Sequence, residues 1–142
     1  MTGRAFFESV GDALVNFLPP SLRNFDSYHT SQNFKLWFGE PRQEHYEVQY
    51  ISRRSVLEIG FHAEYRERSR NDEVIERFMV KERAWRKALG RTVEVGPFIG
   101  AQSGSWRRIS ELWENIGDPD AAIEAAERLA SYVRTFEPIR TA

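Results

Sequence analysis

Apolar residues recur along this chain first at helical spacing, then in alternation with polar residues, and then at helical spacing again. Between residues 6 and 18 they fall three and four positions apart, which predicts a helix that ends at a pair of prolines. The segments 34–38, 46–50 and 57–65 alternate apolar and polar residues, which predicts three strands separated by turns. We therefore expect an N-terminal helix and then a three-stranded antiparallel meander, with the polar segment 21–32 as the connection.

Helical spacing returns in residues 70–89, and Gly90 is the expected stop of this central helix. The valines that follow it predict a short strand. Residues 106–116 fit two interpretations. Their periodicity favours a helix, whereas the Ser-Gly-Ser turn before them favours a hairpin with the segment 92–99. The sequence leaves both open.

A final helix is expected between two prolines. Asp118 is a suitable N-cap with Pro119 at the first helical position, and Pro138 is expected to stop the helix. The predicted fold class is α+β, with an antiparallel sheet made of the meander plus one or two further strands. Helices at the N-terminus, centre and C-terminus pack on it, in the order α-β-β-β-α-β-(β or α)-α. The chain, residues 1–142, is expected to be a single globular domain.

Composition narrows the classes of function. The chain is 41% hydrophobic and 29% charged, as expected for a globular domain, and its formal net charge of −1 argues against a general nucleic-acid binder. It has no cysteine, which excludes disulfides, thiol catalysis and cysteine-ligated zinc. Glu8 and Asp12 interrupt the segment that a signal peptide would need to be apolar, so we expect a cytoplasmic location and no membrane partner.

The register of the meander decides which side chains share a face. The apolar sides of the second and third strands coincide if the turn between them is centred on Arg53 and Arg54. His45 then lies opposite His62 on the outward face of the sheet. The neighbouring outward positions are Trp37, Glu47, Glu58, Gly60 and Glu64.

This outward face has two interpretations. Cross-strand neighbours are close enough for imidazoles and carboxylates to bind a metal together or to act as acid and base. The interpretation we favour from sequence is an ordinary polar face or an interface, with no cofactor and no metal, and no catalytic residue is assigned. The candidate binding residues are Trp37, His45, Glu47, Gly60, His62 and Glu64, and the ligands of a metal, if one binds, are His45, His62 and Glu64. The central Gly60 indicates a bulge or a close approach by another group.

Three other patterns in the sequence give weaker evidence for a function. The basic residues between 81 and 91 follow acidic residues along one predicted helix, which is the order that the helix dipole favours. The glycine-rich loop 96–105 lacks the lysine of a phosphate-binding loop. The His-x-Glu motif at 62–64 resembles an element of zinc deaminases, whose chemistry also needs two cysteines that this chain does not have.

Three functions remain open, and we lean away from an enzyme. The first is a non-enzymatic cytoplasmic binding or adaptor domain, because four tryptophans suit an interface with a second copy in a homodimer or with another protein. The second is a small-ligand-binding domain with a cavity between the sheet and the C-terminal helix, where tyrosine hydroxyls need polar partners. The third is a metal-dependent hydrolase that uses His45, His62 and a glutamate.

Overall fold

The computed structural model describes residues 3–100, 104–114 and 116–142. These residues form an α+β fold, in which helices pack against one face of an antiparallel sheet. The elements in chain order are α1 (Arg4–Leu14), β1 (Asp26–His29), β2 (Asn33–Trp37), β3 (Glu44–Ile51), β4 (Val56–Ala63), α2 (Arg68–Met79), α3 (Glu82–Leu89), β5 (Glu94–Pro97), β6 (Arg107–Trp113) and α4 (Ala121–Arg140). The predicted fold class and the general order of elements are confirmed.

The sheet has six strands in the order β1-β2-β3-β4-β6-β5, and each strand is antiparallel to its neighbours. The predicted register of the meander is confirmed, since Tyr46 pairs with Phe61 and His45 pairs with His62. Strands β3 and β4, which carry the two histidines, lie at the centre of the sheet and have other strands on both sides.

One segment that the sequence left open is a strand, and one segment that was expected to be a connection contains a strand. The open segment 106–116 contains strand β6, which pairs with β5 in a hairpin and also with β4. The segment 21–32, expected to be a connection, contains β1, which pairs with β2 at the sheet edge. Strand β1 is mostly exposed, and an edge strand held by backbone hydrogen bonds needs no apolar alternation. The meander is therefore joined by three further strands.

The predicted central helix is two helices. A break at residues 80–81 separates α2 from α3, and the indole of Trp85 donates a hydrogen bond of 2.9 Å to the carbonyl of Phe78 in the last turn of α2. That hydrogen bond occupies a carbonyl at the helix end and places the Trp85 ring in the core. The periodic pattern continues across the break because both helices face the same core.

The boundaries of α4 also differ from the expectation. The helix begins at Ala121, and Asp118 bonds the backbone N–H of Asp120 in the turn before it. It continues through Pro138 to Arg140. Proline removes one backbone hydrogen bond, but the side chain of Arg140 binds Glu137 and holds the last turn.

The inner face of the sheet forms the hydrophobic core with the helices. Its largest fully buried side chains are aromatic and lie on β3, β4, α1, α2, α3 and α4: Trp85, Tyr46, Tyr132, Phe7, Phe61, Phe78 and Phe136. Among the described residues, none of the helices combines the length and the apolar character that a membrane crossing requires.

Candidate metal centre

Two copies of a His-x-Glu motif lie side by side on the outer face of the sheet. His45 and Glu47 belong to β3. His62 belongs to β4, and Glu64 is the first residue after that strand. The alternation of a strand places the first and third residue of each motif on the same face. Because β3 and β4 are antiparallel and the two histidines are paired, an approximate two-fold axis relates the motifs.

We call these four side chains, His45, Glu47, His62 and Glu64, the His–Glu cluster. One nitrogen or carboxylate oxygen from each lies within 4.8 Å of the other three. His45 Nε2 lies 2.9 Å from Glu47 Oε1 and 3.5 Å from Glu64 Oε2. His62 Nδ1 lies 3.2 Å from Glu47 Oε1 and 2.9 Å from Glu64 Oε2. The four atoms therefore form a ring in which nitrogen and oxygen alternate.

These separations fit hydrogen bonds between imidazole and carboxylate, and they also fit ligands around one small ion. With metal–ligand bonds of about 2.0–2.1 Å, neighbouring ligands stand about 2.9–3.4 Å apart in octahedral or tetrahedral geometry. The four contacts along the ring of the His–Glu cluster are 2.9, 3.2, 2.9 and 3.5 Å long. The donors are thus grouped closely enough to bind one ion without rearrangement of the strands.

The cluster is buried, although the described helices pack on the opposite face of the sheet. The side chains of His45, Glu47 and His62 are almost inaccessible, and that of Glu64 is 12% exposed. The ring of Phe98, which follows β5, stands edge-on to the His62 imidazole at 5.3 Å between centroids. The expectation of a solvated polar face is wrong at these positions, where the neighbouring strands and Phe98 surround the side chains.

Further polar side chains contact the cluster, and the first of them is Glu58. His62 Nε2 donates to the carboxylate of Glu58, at 2.8 and 2.9 Å from its two oxygens. Glu58 also accepts from Gln49 Nε2 at 2.7 Å and from the hydroxyl of Ser110. Glu58 is fully buried, so all of its partners come from the protein side chains around it.

Glu47 is held in a similar way. Its Oε2 accepts a hydrogen bond of 2.9 Å from Asn33 Nδ2, while its Oε1 faces the two histidines. The amide oxygen of Asn33 in turn accepts from Thr30 Oγ1 at 2.6 Å. These contacts leave one carboxylate oxygen of Glu47 directed into the cluster.

The close contacts within the cluster shift the pKa values of His62 and Glu47. Burial by itself would lower the pKa of the His62 imidazole, but the charge of Glu58 and hydrogen bonds to the surrounding carboxylates raise this pKa well above its usual value. Burial would raise the pKa of Glu47, yet hydrogen bonds with His45 and His62 hold it well below its usual range. The carboxylates therefore favour a positive charge on His62, and the imidazoles favour a negative charge on Glu47.

Two of the predicted site residues lie outside the ring of donors. Trp37 is half-buried, with the guanidinium of Arg42 over its ring at 4.5 Å. Gly60 lies between Glu47 on β3 and Ser110 on β6, and a Cβ atom there would stand 2.4 Å from the carbonyl oxygen of Ile109. Gly60 was expected to mark a bulge or a close approach by another group, and the group that lies close to it is the backbone of β6.

Sequence reasoning did not assign the supporting residues, which are Asn33, Gln49, Glu58, Phe98 and Ser110. For the four donors themselves a signal was available, because the repeated His-x-Glu motif places them at equivalent positions of paired strands. The contact of Glu58 with His62 has no comparable signal, because it depends on side-chain rotamers. The contact of Phe98 depends on the path of a long loop.

The inner face carries buried carboxylates of a different kind. Each accepts a hydrogen bond of 2.6–2.7 Å from a tyrosine hydroxyl, in the pairs Tyr46–Glu137, Tyr65–Glu44 and Tyr132–Glu111. Arg140 lies against Glu137 and Glu44, and Arg128 against Glu111. The hydroxyls of these three tyrosines therefore have partners within the protein.

Comparison with known protein families, with curated proteins and with solved structures found no match for this chain. Its function is therefore inferred from the chemistry of the His–Glu cluster.

Proposed function

We propose that this protein binds a divalent transition-metal ion through the His–Glu cluster. The observation that carries the proposal is the convergence of four donor atoms, three of them on buried side chains, within 4.8 Å of one another. The ligands would be His45 Nε2, Glu47 Oε1, His62 Nδ1 and Glu64 Oε2. Each of the two central strands supplies one imidazole and one carboxylate.

The charge around the site supports a cation. Three carboxylates, those of Glu47, Glu58 and Glu64, lie against two imidazoles in a region with little solvent. Buried negative charges are costly unless positive charge compensates them. A divalent ion supplies two positive charges at the point where the carboxylates converge.

The donor set suggests the class of metal. Imidazole nitrogen and carboxylate oxygen together suit Zn²⁺, Fe²⁺ and Mn²⁺, whereas Mg²⁺ prefers oxygen ligands and water. Four protein ligands also match the number found in closed, structural zinc sites. We therefore regard the site as one that holds an ion in place within the protein.

The other functions draw less support from the geometry. A metal-dependent hydrolase needs a coordination position open to its substrate, and here the ring of Phe98 lies against His62 while three of the four donor side chains are nearly inaccessible. A small ligand was suggested by inner-face tyrosines that need polar partners, and the hydroxyls of Tyr46 and Tyr65 bind carboxylates of the protein. Our proposal is therefore a metal-binding domain without catalysis, which departs from the expectation of no metal, and an adaptor role toward a second copy or another protein stays a prediction.

Metal content tests the proposal directly. We expect protein purified without chelator, or reconstituted with Zn²⁺, to hold close to one ion per chain by elemental analysis. The double variant His45→Gln, His62→Gln should lose the ion, because an amide is a poor ligand although it still offers hydrogen bonds to the glutamates. The matched control is His29→Gln, since His29 lies on the edge strand β1 and outside the cluster.

Two outcomes would contradict the proposal. One is a wild-type protein that binds none of Zn²⁺, Fe²⁺, Mn²⁺ or Co²⁺ after dialysis. The other is a double variant that retains as much metal as His29→Gln does. Circular dichroism of the variants checks that both keep the secondary structure of the wild type.

A further inference from the structure

We propose that Glu58 is a positioning residue of the metal centre, which holds His62 so that its Nδ1 faces the ion. The inference rests on the proposed function. Glu58 itself lies outside the ring of donors, and it acts through the imidazole that it contacts. It is not among the residues that the sequence pattern marks as candidate ligands.

The geometry around His62 fixes the roles of its two nitrogens. Nε2 faces both oxygens of Glu58, at 2.8 and 2.9 Å, whereas Nδ1 faces Glu47 and Glu64. Carboxylates only accept hydrogen bonds, and both nitrogens of His62 face carboxylates. A metal ion in the His–Glu cluster would take the place of the proton on Nδ1, while Nε2–H keeps its hydrogen bond to Glu58. The same carboxylate–histidine–metal arrangement orients ligands in many metalloproteins.

A chain of hydrogen bonds holds Glu58 in turn. Arg108 Nη1 donates to Ser110 Oγ at 2.7 Å, so the hydroxyl proton of Ser110 is directed to the carboxylate of Glu58. Gln49 Nε2 donates to the same carboxylate from strand β3. Strands β3, β4 and β6 thus all fix the orientation of one imidazole. This explains why a carboxylate with no ligand role is completely buried beside the cluster.

Replacement of Glu58 by glutamine breaks this arrangement without a change of shape. Glu58 accepts from three donors, namely His62, Gln49 and Ser110. A glutamine has one acceptor oxygen, and its amide N–H₂ would face one of those donors. The negative charge that makes the imidazole a better ligand is also lost. Removal of such a partner typically weakens metal binding by about tenfold to a hundredfold.

The experiment compares Glu58→Gln with Glu73→Gln, the same substitution at an exposed position of α2. We expect the dissociation constant for Zn²⁺, from competition with a chromophoric chelator, to rise about tenfold to a hundredfold in Glu58→Gln only. In protein saturated with Co²⁺, the visible absorption bands should shift in Glu58→Gln, because they report the ligand field at the ion. A purely structural role would leave those bands in place.

A milder variant covers the case in which Glu58→Gln fails to fold. Ser110→Ala removes one hydrogen bond to Glu58 and keeps the charge, so we expect Zn²⁺ binding weaker by about twofold to tenfold. If the wild type binds no metal, the proposed function and this inference both fall. If the wild type binds Zn²⁺ and the folded variants bind it equally well with unchanged Co²⁺ bands, only the role of Glu58 is overturned.

Discussion

Two groups of glutamates lie on opposite sides of the sheet, and they differ in the residues that they contact. On the outer face, Glu47, Glu58 and Glu64 lie against histidines. On the inner face, Glu44, Glu111 and Glu137 lie against tyrosines and arginines. Within the described part of the chain, each buried side-chain nitrogen or oxygen has a hydrogen-bond partner. Such complete pairing is what burial of charge requires.

The pair formed by Tyr46 and Glu137 gives a prediction at this scale. Tyr46 is fully buried and donates to Glu137 at 2.7 Å, and burial beside that carboxylate raises the pKa of the hydroxyl well above its usual value. Tyr46→Phe removes the donor and leaves a buried carboxylate oxygen with fewer partners. We expect the free energy of unfolding in urea to fall by about 1–3 kcal/mol.

The control for this variant is Tyr28→Phe, because Tyr28 on the edge strand is 52% exposed. Its loss of a hydroxyl should change the unfolding free energy by less than about 0.5 kcal/mol. Equal effects of the two substitutions would show that the buried hydrogen bond contributes nothing.

The strands show how far an element can be inferred from its pattern. Alternation and the turn at Arg53 and Arg54 were enough to predict the pairing of β3 with β4, and therefore the opposition of His45 and His62. Strand β1 carries no such pattern, since its residues face solvent on both sides or lie at the edge. The pattern predicts a strand where apolar and polar residues alternate, and an exposed edge strand does not need that alternation.

Gly60 gives a prediction at the scale of the sheet. A methyl group at this position would lie 2.4 Å from the carbonyl oxygen of Ile109 and 2.6 Å from Ser110 Cα, both in the backbone of β6. Gly60→Ala should therefore separate β4 from β6 locally and lower the free energy of unfolding by about 1–3 kcal/mol. Urea denaturation measures the change.

The matched control is Gly96→Ala on β5, where an added methyl group meets no atom within 4 Å. That variant should be close to the wild type in stability. A Gly60→Ala protein as stable as Gly96→Ala would mean that β6 moves aside freely, and the requirement for glycine at position 60 would be disproved.

At the scale of the whole molecule, a metal ion would couple the site to the stability of the fold. The His–Glu cluster joins the two central strands, and its geometry does not exist in the unfolded chain. A ligand that binds only the folded state stabilises it, by about 2.7 kcal/mol at a free concentration one hundred times its Kd. We therefore expect Zn²⁺ to raise the melting temperature and a chelator to reverse the shift.

Two comparisons make this thermal test specific. Mg²⁺ at the same concentration should leave the melting temperature unchanged, because the two imidazole donors do not suit it. The double variant His45→Gln, His62→Gln should also give no shift with Zn²⁺. A similar Zn²⁺ shift in that variant would locate the stabilising ion elsewhere on the protein.

The sequence by itself determined the fold class, the meander and its register, and so the face that carries His45, Glu47, His62 and Glu64. These features depend on spacing along the chain and on pairing between neighbouring strands, which local patterns report directly. Only the tertiary structure decided that this face is buried, that β6 completes the sheet beside it, and that Glu58 supports His62. Burial and side-chain contacts of this kind depend on segments distant in sequence, such as Phe98, whose positions no local period encodes.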